Sequence, residues 1–430
     1  MSTEPAPTRR DLASRLRGAF ADTTPLRTLE FRRLWIAGIF TAIGAQLTVV
    51  AVPQQIFSLT QSSGYVGLAG VFGLVPLLVF GLWGGAIADA VDRRTLLMAS
   101  SAGMALVSVL LWATAAFGIR SVWLVLVLFA VQQALFAVNQ PTRSSVLPRI
   151  LPLTQLPAAN ALNTTVMTFG ALVGPLLAGA LIPFIGLTNL YLIDSITLLV
   201  TIRAAWKLPA LPPLDSADGA KRTAGMRDLI EGFRYVASQK ILLVSFLVDI
   251  VAMAFGMPRA LFPEIAVRTY GDPASGGTAV GWLFASIALG SVVGGLCSGW
   301  LHRIQRQGIA VIVAICIWGV GVVAFGLVHT LWLAVLFLAV AGGADLVSAV
   351  FRSTMLQVVA PDDMRGRMQG VFIVVVAGGP RLADIWHGWV GDIAGPEVTV
   401  VAGGAAVIVG VLIVSVLLPA FWRYRAPVAD

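Results

Sequence analysis

The chain has 430 residues, of which 58% are hydrophobic and 12% are charged, and its mean hydropathy is +0.88. Soluble domains do not combine so apolar a composition with so few charges, so the sequence excludes a soluble globular protein. The net charge of +8 does not indicate nucleic-acid binding, because no basic patch with interleaved aromatic residues accompanies it.

Twelve apolar segments follow one another along the chain. Each is long enough to cross about 30 Å of hydrocarbon as a helix, and none alternates apolar with polar residues as a barrel strand does. The segments lie near residues 32–57, 65–88, 95–117, 121–142, 158–183, 187–206, 241–267, 277–301, 309–328, 331–356, 368–392 and 397–421. The sequence therefore predicts an all-α polytopic membrane protein with twelve transmembrane helices.

The Lys and Arg residues predict the orientation of these helices. Most of the 29 fall in the N-terminal tail, the 203–240 connection and shorter loops of the same side, whereas Arg120 and Arg268 fall on the opposite side. Positive loops face the cytoplasm, so we expect both termini to be cytoplasmic in a bacterial inner membrane. No cleaved signal peptide is indicated, so the first span is expected to be retained.

Several fragments recur at about half the chain length. Residues 143–147 match residues 352–356 at an offset of 209, and Pro53 matches Pro258 at an offset of 205. Such repetition predicts two pseudo-symmetric six-helix bundles. The expected units are a cytoplasmic tail (1–31), a first bundle (32–206), a cytoplasmic linker with an amphipathic helix (207–240), a second bundle (241–421) and a cytoplasmic tail (422–430).

Residues 85–94 join the second and third segments and read GAIADAVDRR. This loop resembles the G-x-x-x-D-[RK]-x-G-R-[RK] loop of the major facilitator superfamily and departs from it at Ala90 and Asp92. The resemblance implies a cytoplasmic latch, in which Asp89 caps a helix N-terminus and pairs with arginines. With the arginines that end the fourth and tenth segments, the expected latch residues are Gly85, Asp89, Arg93, Arg94, Arg143 and Arg352.

The fifth segment carries small residues around a proline, in the order Gly170, Gly174, Pro175 and Gly179. This pattern resembles the Gly-Pro motif of the exporters of the superfamily, although Ala178 stands where a glycine is usual. Small residues at this spacing let helices approach closely, so plain helix packing is an equally good interpretation.

Further stretches resemble the branch that contains the bacterial enterobactin exporter and macrolide and multidrug efflux proteins. They are spread from about residue 31 to 420 and include residues 52–56, 66–68, 84–94, 258–263, 354–357, 361–367 and 379–384. The resemblance implies an exporter of a catecholate siderophore, with macrolides or mixed drugs as the alternative.

Carboxylates within the spans are candidates for proton coupling, because a charge at bilayer depth costs at least about 2.5–3.5 kcal/mol and is retained for function. Asp384 lies one turn from Arg381 in the segment 379–384, which reads GPRLAD. The matching segment of the first half, 174–179, reads GPLLAG and has no charged residue. Asp345 is the other leading candidate, and Asp249 comes behind these two. Asp194 stands toward the outer side of the sixth span, where a structural role remains open. For Arg381 and Asp384, mutual neutralisation also remains open.

The substrate-binding candidates are cations, amides and one aromatic residue within the spans. They are Arg259, Arg381, Gln46, Gln54, Gln132, Gln133 and Trp386. The arginines favour an anionic substrate, and the amides would supply hydrogen bonds. For Trp386, packing near the outer end of its span remains an alternative.

These features predict secondary transport by alternating access, with the two halves rocking about a cavity. The expected partners are a small-molecule substrate, protons and the lipid bilayer, and the chain is expected to act as a monomer. We expect no metal, cofactor or enzymatic activity, since the sequence has no G-x-x-x-x-G-K-[ST] loop, and its two cysteines lie in apolar segments. A facilitative or importing carrier and a non-transporting membrane sensor remain as alternatives.

Overall fold

In the computed structural model, the described part of the chain comprises residues 22–213, 231, 234–359, 365–419 and 421–424. Within it, only the backbone is described at residues 82, 84–86, 88, 89, 359, 365–374, 376 and 377. All regular secondary structure in these ranges is helical. Of the predicted linker helix, only residue 231 and residues 234–238 are described, and they are helical. Most of the predicted N-terminal tail lies outside the described residues.

The first half contains six long helices. The first four are α1 (Leu29–Thr60), α2 (Ser63–Ala90), α3 (Arg93–Ala116) and α4 (Val122–Ile150). The run Leu156–Trp206 follows and is broken at Gly186, whose φ of 76° and ψ of 159° are not helical. A glycine takes this conformation without steric penalty, so the chain turns there between α5, before Gly186, and α6, after it.

The second half repeats this arrangement. Its helices are α7 (Lys240–Gly256), α8 (Thr278–Leu296), α9 (Gln307–Leu327), α10 (Leu331–Val359), α11 (Arg365–Ala394) and α12 (Pro396–Leu417). After α7 ends at Gly256, a 3₁₀ turn at Arg259–Leu261 and a short helix at Phe262–Arg268 complete the crossing. Pro258 and Pro263 flank the 3₁₀ turn and cannot donate to a continuous helical ladder.

Ten helical runs in the described ranges are long and apolar enough to cross a membrane. One of these runs holds both α5 and α6, and α11, with 30 residues, is also long enough to cross. Large apolar side chains remain exposed along the helices, as lipid-facing surfaces require. The predicted all-α polytopic fold is therefore confirmed.

An even number of crossings places both ends of the chain on the same side. We call the end of the bundle where α1 begins and α12 finishes the proximal end, and the opposite end the distal end. The distal end carries the connections after α1, α3, α5, the short helix, α9 and α11. The proximal end carries the connection between α2 and α3, next to Arg93, and the linker between α6 and α7.

Helices of the two halves meet at glycines. A Cβ atom on Gly281 of α8 would lie 2.6 Å from the Cα atom of Gly179 on α5, so neither position has room for a side chain. On the other side, a Cβ on Gly388 of α11 would lie 2.7 Å from the Cα of Gly67 on α2. The two halves therefore contact each other directly through the pairs α5–α8 and α2–α11.

The other two small residues of the fifth span face the first half itself. A Cβ on Gly170 would lie 2.8 Å from the Cβ of Ala42, and Gly174 faces the side chain of Gln46, both on α1. The Gly170 to Gly179 segment thus packs against α1 with one part and against α8 with another.

Polar contacts also join the halves at the distal end. Ser63 Oγ donates to Glu264 Oε2 at 2.5 Å, and Ser62 Oγ donates to Asp392. Gln54 Nε2 donates to the carbonyl oxygen of Ala274 at 3.0 Å. These contacts connect α1 and α2 to the distal segments of the second half and cover that side of the space between the halves.

Candidate transport cavity

A cavity of about 470 Å³ lies between the two halves. Its volume falls in the range of small-molecule sites, which is about 300–1,000 Å³. The first half contributes aliphatic side chains together with two amides and two aromatic rings, namely Gln46, Gln133, Phe129 and Phe136. The second half contributes all the charged side chains, namely Arg259, Asp345, Arg381 and Asp384. Of the eleven proton-coupling and substrate-binding candidates, these four charged residues, Gln46 and Gln133 share this cavity.

Arg381 reaches across the cavity to the first half. Its Nη2 atom donates to Gln133 Oε1 at 3.4 Å, and its Cζ atom stands 5.5 Å from the centre of the Phe129 ring. Its Nη1 atom is 3.8 Å from Asp384 Oδ2, one turn further along α11. The glycines of α2 permit this arrangement, since a Cβ on Gly73 would lie 3.2 Å from Arg381 Cζ.

Arg259 is placed by the interruption of the seventh span. Because helix α7 stops at Gly256, the following 3₁₀ turn directs Arg259 into the cavity wall. Its guanidinium interacts electrostatically with Asp345 and Asp384, but it forms no ion pair or hydrogen bond with any described residue. A cation that faces a cavity in this way remains available to an anionic ligand.

Arg352 occupies a different environment from the one that the repeat predicts. It is buried, its Nη1 atom forms an ion pair with Asp249, and its Nη2 atom is 4.0 Å from Asp345 Oδ1. Its Nε atom donates to Ser348 Oγ at 3.1 Å. Arg352 thus connects α10 to α7 inside the second half, whereas the sequence predicted a latch residue at the cytoplasmic surface.

Arg143 is the counterpart of Arg352 but has no carboxylate partner among the described residues. Its Nη2 atom donates to the carbonyl oxygen of Leu34 at 2.9 Å, beside Gly38. The difference arises because Gly44 stands in the first half where the second half has Asp249. Identical arginines at matching positions therefore have different partners.

A second cavity of about 200 Å³ extends along α4 toward the proximal end. Its lining includes Gln140 and Arg143, and it shares Gln46, Phe129, Gln133, Phe136 and Arg381 with the first cavity. The space between the halves therefore reaches toward the proximal side, while the polar contacts described above cover its distal side.

Asp194 lies on the wall of this second cavity, inside the first half. It is 1% exposed, and its Oδ2 atom accepts hydrogen bonds from Ser108 Oγ at 2.7 Å, Thr48 Oγ1 at 2.9 Å and Gln132 Nε2 at 3.4 Å. Gln132 is therefore a hydrogen-bond donor to Asp194 and does not line the larger cavity. The sequence pointed to Asp194 and Gln132 separately but not to the two hydroxyl donors, because lone Ser and Thr residues in spans give no distinctive signal.

Two other substrate-binding candidates lie outside both cavities. Gln54 is buried and engaged with Ala274 at the distal end. Trp386 packs against Phe255, with ring centres 5.3 Å apart, and against His387, with ring centres 4.6 Å apart. The geometry therefore gives Gln54 a role in the contact between halves and Trp386 a packing role.

The loop between α2 and α3 is held by a residue other than the expected one. Asp92 caps α3, because its Oδ1 atom accepts from the backbone N–H of Thr95 at 2.8 Å, and its Oδ2 atom accepts from that of Leu211 at 2.6 Å. Burial acts to raise the pKa of Asp92, but these hydrogen bonds outweigh it and hold the pKa below its ordinary value. At Gly85 and Asp89 only the backbone, which is helical, is described.

The two arginines of the loop bind backbone carbonyls. Arg94 Nη2 donates to Trp206 at 2.7 Å, and Arg93 Nη1 donates to Ser145 at 3.4 Å. Both contacts stay within the first half. Among the described residues, no group of three or more His, Cys, Asp or Glu side chains is placed to hold a metal ion.

Two helical halves with a charged cavity between them are typical of membrane carriers. The family model described as "transmembrane secretion effector" matches residues 20–424, and the chain therefore belongs to this family of the major facilitator superfamily. It is a multi-pass secondary transporter with a small-molecule substrate, and its family is not enzymatic.

Curated relatives of the chain include bacterial exporters. The enterobactin exporter EntS of Citrobacter koseri is 27% identical over 402 residues, which cover 92% of this chain and 94% of that protein. The enterobactin exporter EntS of Shigella boydii serotype 18 is 27% identical over 393 residues, which cover 90% of this chain and 92% of the exporter. These relatives suggest the bacterial inner membrane as the location.

Solved structures share the fold. A bacterial homologue of the human lysosomal transporter Spinster, in an inward-facing and unoccupied conformation, matches with a TM-score of 0.72 at 16% identity and covers 95% of this chain and 100% of its own. The nucleoside transporter NupG matches with a TM-score of 0.71 at 15% identity over 92% of this chain and 99% of its own. Both similarities concern the fold alone.

Proposed function

We propose that this protein is a proton-coupled exporter of a small anionic molecule of the catecholate siderophore class. The observation that carries the substrate class is Arg259, a cavity-lining cation that forms no ion pair or hydrogen bond with a described residue, together with Arg381 of the same half. Catecholates are acidic and aromatic, and the first half offers Phe129 and Phe136 for stacking on the other side of the cavity. The 27% identity to enterobactin exporters supports this choice.

The contacts between the halves support transport by alternating access. In the present conformation, Ser63–Glu264 and Gln54–Ala274 cover the distal side, and the second cavity reaches the proximal side. We propose that the proximal side is the cytoplasm, so that substrate enters there and leaves after the distal contacts separate. The arginine-rich proximal loops and linker support this orientation.

A macrolide or multidrug efflux antiporter is the second candidate, and the apolar part of the lining favours it. Met253, Met257 and Phe284 give the cavity adaptable apolar surface, which suits bulky drugs. The two cavity arginines argue against cationic drugs, because like charges would be buried together. A facilitative carrier would need no proton site, whereas an importing carrier would move its substrate in the opposite direction to the one proposed here.

Gene deletion tests the substrate class. We expect a deletion strain grown under iron limitation to release less siderophore into the medium, as measured by mass spectrometry. The control is the same strain complemented with the wild-type gene, and macrolide susceptibility is measured in parallel. Unchanged siderophore release, in a strain without another siderophore exporter, together with raised macrolide susceptibility would replace the first candidate with the second.

Membrane orientation and oligomeric state are also proposals. Reporter fusions at both termini should give cytoplasmic signals, and the purified protein should behave as a monomer in detergent. A periplasmic signal from either terminus would reverse the assignment of the proximal side.

A further inference from the structure

Asp194 differs from the other intramembrane carboxylates in the charge of its neighbours. Asp249 is paired with Arg352, Asp384 with Arg381, and Asp345 lies near Arg352. Asp194 instead accepts only from the neutral side chains of α1, α3 and α4 described above. Of the described residues, none places a cation within ion-pair distance of it.

The intramembrane carboxylates of the second half are balanced by cations of the same half. Asp249, Asp345 and Asp384 face the guanidiniums of Arg352, Arg259 and Arg381. Adding a proton to one of these carboxylates would leave an arginine at membrane depth without its full countercharge, which is unfavourable. Asp194 has no such constraint, and its charged form is the one that lacks compensation.

The two oxygens of Asp194 have different surroundings. All three hydrogen bonds converge on Oδ2, and no described residue donates to Oδ1. Oδ1 faces Gly44 of α1, where a Cβ atom would lie 2.8 Å from it. The missing side chain at Gly44 therefore lets α6 pack closely against α1 at this point. Because Oδ1 accepts no hydrogen bond from a described residue, it is the oxygen on which a proton would disturb no existing bond.

Few ionisable groups face this site. On α4, Arg143 lines the same cavity but is eleven residues from Gln132, about 16 Å along the helix. On α6 itself, the nearest ionisable neighbour is Tyr191, whose hydroxyl donates to Gln55 Oε1 at 2.7 Å. Across the cavity, Arg381 of α11 is engaged with Gln133. The parts of α1 and α3 that face Asp194 contribute the hydroxyl groups of Thr48 and Ser108, which do not ionise near neutral pH.

Two consecutive glutamines connect this site to the substrate cavity. Gln132 donates to Asp194, and Gln133 accepts from Arg381 of the second half. A change in the hydrogen bonding of Asp194 therefore acts on α4 next to the residue that contacts the other half. This adjacency offers a short physical route between a proton in the first half and an anion at Arg381.

We propose that Asp194 is the proton-carrying residue of this transporter and that the pair Gln132–Gln133 couples its protonation to the state of Arg381. The proposal rests on the proposed proton-coupled function. A proton from water forms an O–H bond on the carboxylate when the cavity faces one side, and it returns to water when the cavity faces the other. It differs from the sequence-based expectation, which placed Asp345 and Asp384 first.

Infrared spectroscopy of the lipid-reconstituted protein tests the site without a substrate. A pH titration should reveal a protonated carboxyl band that disappears in Asp194→Asn and persists in the matched variants Asp345→Asn and Asp384→Asn. Asparagine has the same shape and keeps an acceptor for Thr48 and Ser108, so the fold is expected to survive. A band that persists in Asp194→Asn and disappears in one of the other variants would overturn the proposal.

Transport in proteoliposomes provides the functional arm, with iron-free enterobactin as the probe. We expect Asp194→Asn to lose pH-driven accumulation, by at least about tenfold, while retaining exchange of internal for external probe. Full accumulation by Asp194→Asn would refute the role of Asp194. If wild-type protein does not accumulate the probe at all, the proposed function fails, and the infrared titration still decides whether Asp194 titrates.

Discussion

Arg259 and Arg352 provide a matched comparison, because both are guanidiniums inside the second half, and of the two only Arg352 forms an ion pair with a described residue. Arg259 lines the cavity and pairs with no described residue, whereas Arg352 is 5% exposed and pairs with Asp249 and Asp345. The same substitution by glutamine should therefore affect ligand binding at the first position and stability at the second.

The magnitudes follow from what each change removes. A hydrogen bond to a charged group contributes about 1.5–3 kcal/mol, so Arg259→Gln should weaken binding of an anion about 10- to 150-fold. It leaves no carboxylate stripped of an ion pair, so the melting temperature should change little. Arg352→Gln leaves Asp249 buried without its cation, and breaking such a pair costs about 3–5 kcal/mol of stability.

The assay combines calorimetric titration of the purified protein with iron-free enterobactin and thermal unfolding in the same detergent. Arg259→Lys is the control for charge, and we expect it to recover part of the affinity, since a lysine keeps the charge but not the planar fork. Wild-type affinity in Arg259→Gln would refute the anion site, and a loss of stability equal to that of Arg352→Gln would show that Arg259 is structural.

Three further predictions concern other parts of the fold. Gly281→Ala would bring a Cβ to 2.6 Å from the Cα of Gly179, so the contact between α8 and α5 must open, and thermal unfolding should show a loss of about 1–3 kcal/mol. Asp92→Ala removes the cap of α3 and should lower stability by about 1 kcal/mol near neutral pH. Because the pKa of Asp92 is lowered in the folded state, its contribution is present above the unfolded value of 3.8 and is lost as the pH falls through the folded value, so wild type and variant should converge in acid. The paired change Arg381→Leu with Asp384→Gly restores the first-half sequence, and we expect normal membrane insertion but no coupled transport in vesicles; normal transport would show both charges to be dispensable.

The twelve crossings were predictable because each is an apolar segment of the length that a bilayer requires. The gathering of Arg259, Asp345, Arg381 and Asp384 was also anticipated, since charges at membrane depth avoid lipid and therefore face the same interior. The repeat sharpened this expectation by showing that these charges have no counterparts in the first half.

The pairing of side chains across helices was not predictable in the same way. The offset between the halves placed Arg143 and Arg352 at equivalent depths, but their partners depend on what the neighbouring helix presents, which is the Leu34 carbonyl oxygen in one half and the Asp249 carboxylate in the other. Position along a helix follows from residue number, whereas rotation about its axis depends on packing. For the same reason, the donors to Asp194 emerged only from the structure.

The N-cap of α3 shows a second reason why a residue's role was not predictable from the sequence, which is the uncertain position of helix ends. A short loop offers two acidic candidates three residues apart, and a shift of one turn in the end of α2 decides which of them caps the next helix. Helix α2 continues to Ala90, so Asp92 takes the N-cap position. Sequence patterns locate helix ends only to within a few residues.

The central claim, export of an anion driven by a proton gradient, is tested most directly by transport in proteoliposomes. Purified protein is reconstituted, a pH gradient is imposed, and accumulation of iron-free enterobactin against its concentration gradient is followed with and without a protonophore. The account predicts uphill accumulation in one direction of the gradient and its loss when the gradient collapses. Accumulation that never exceeds the equilibrium level, or that is indifferent to the protonophore, would contradict it.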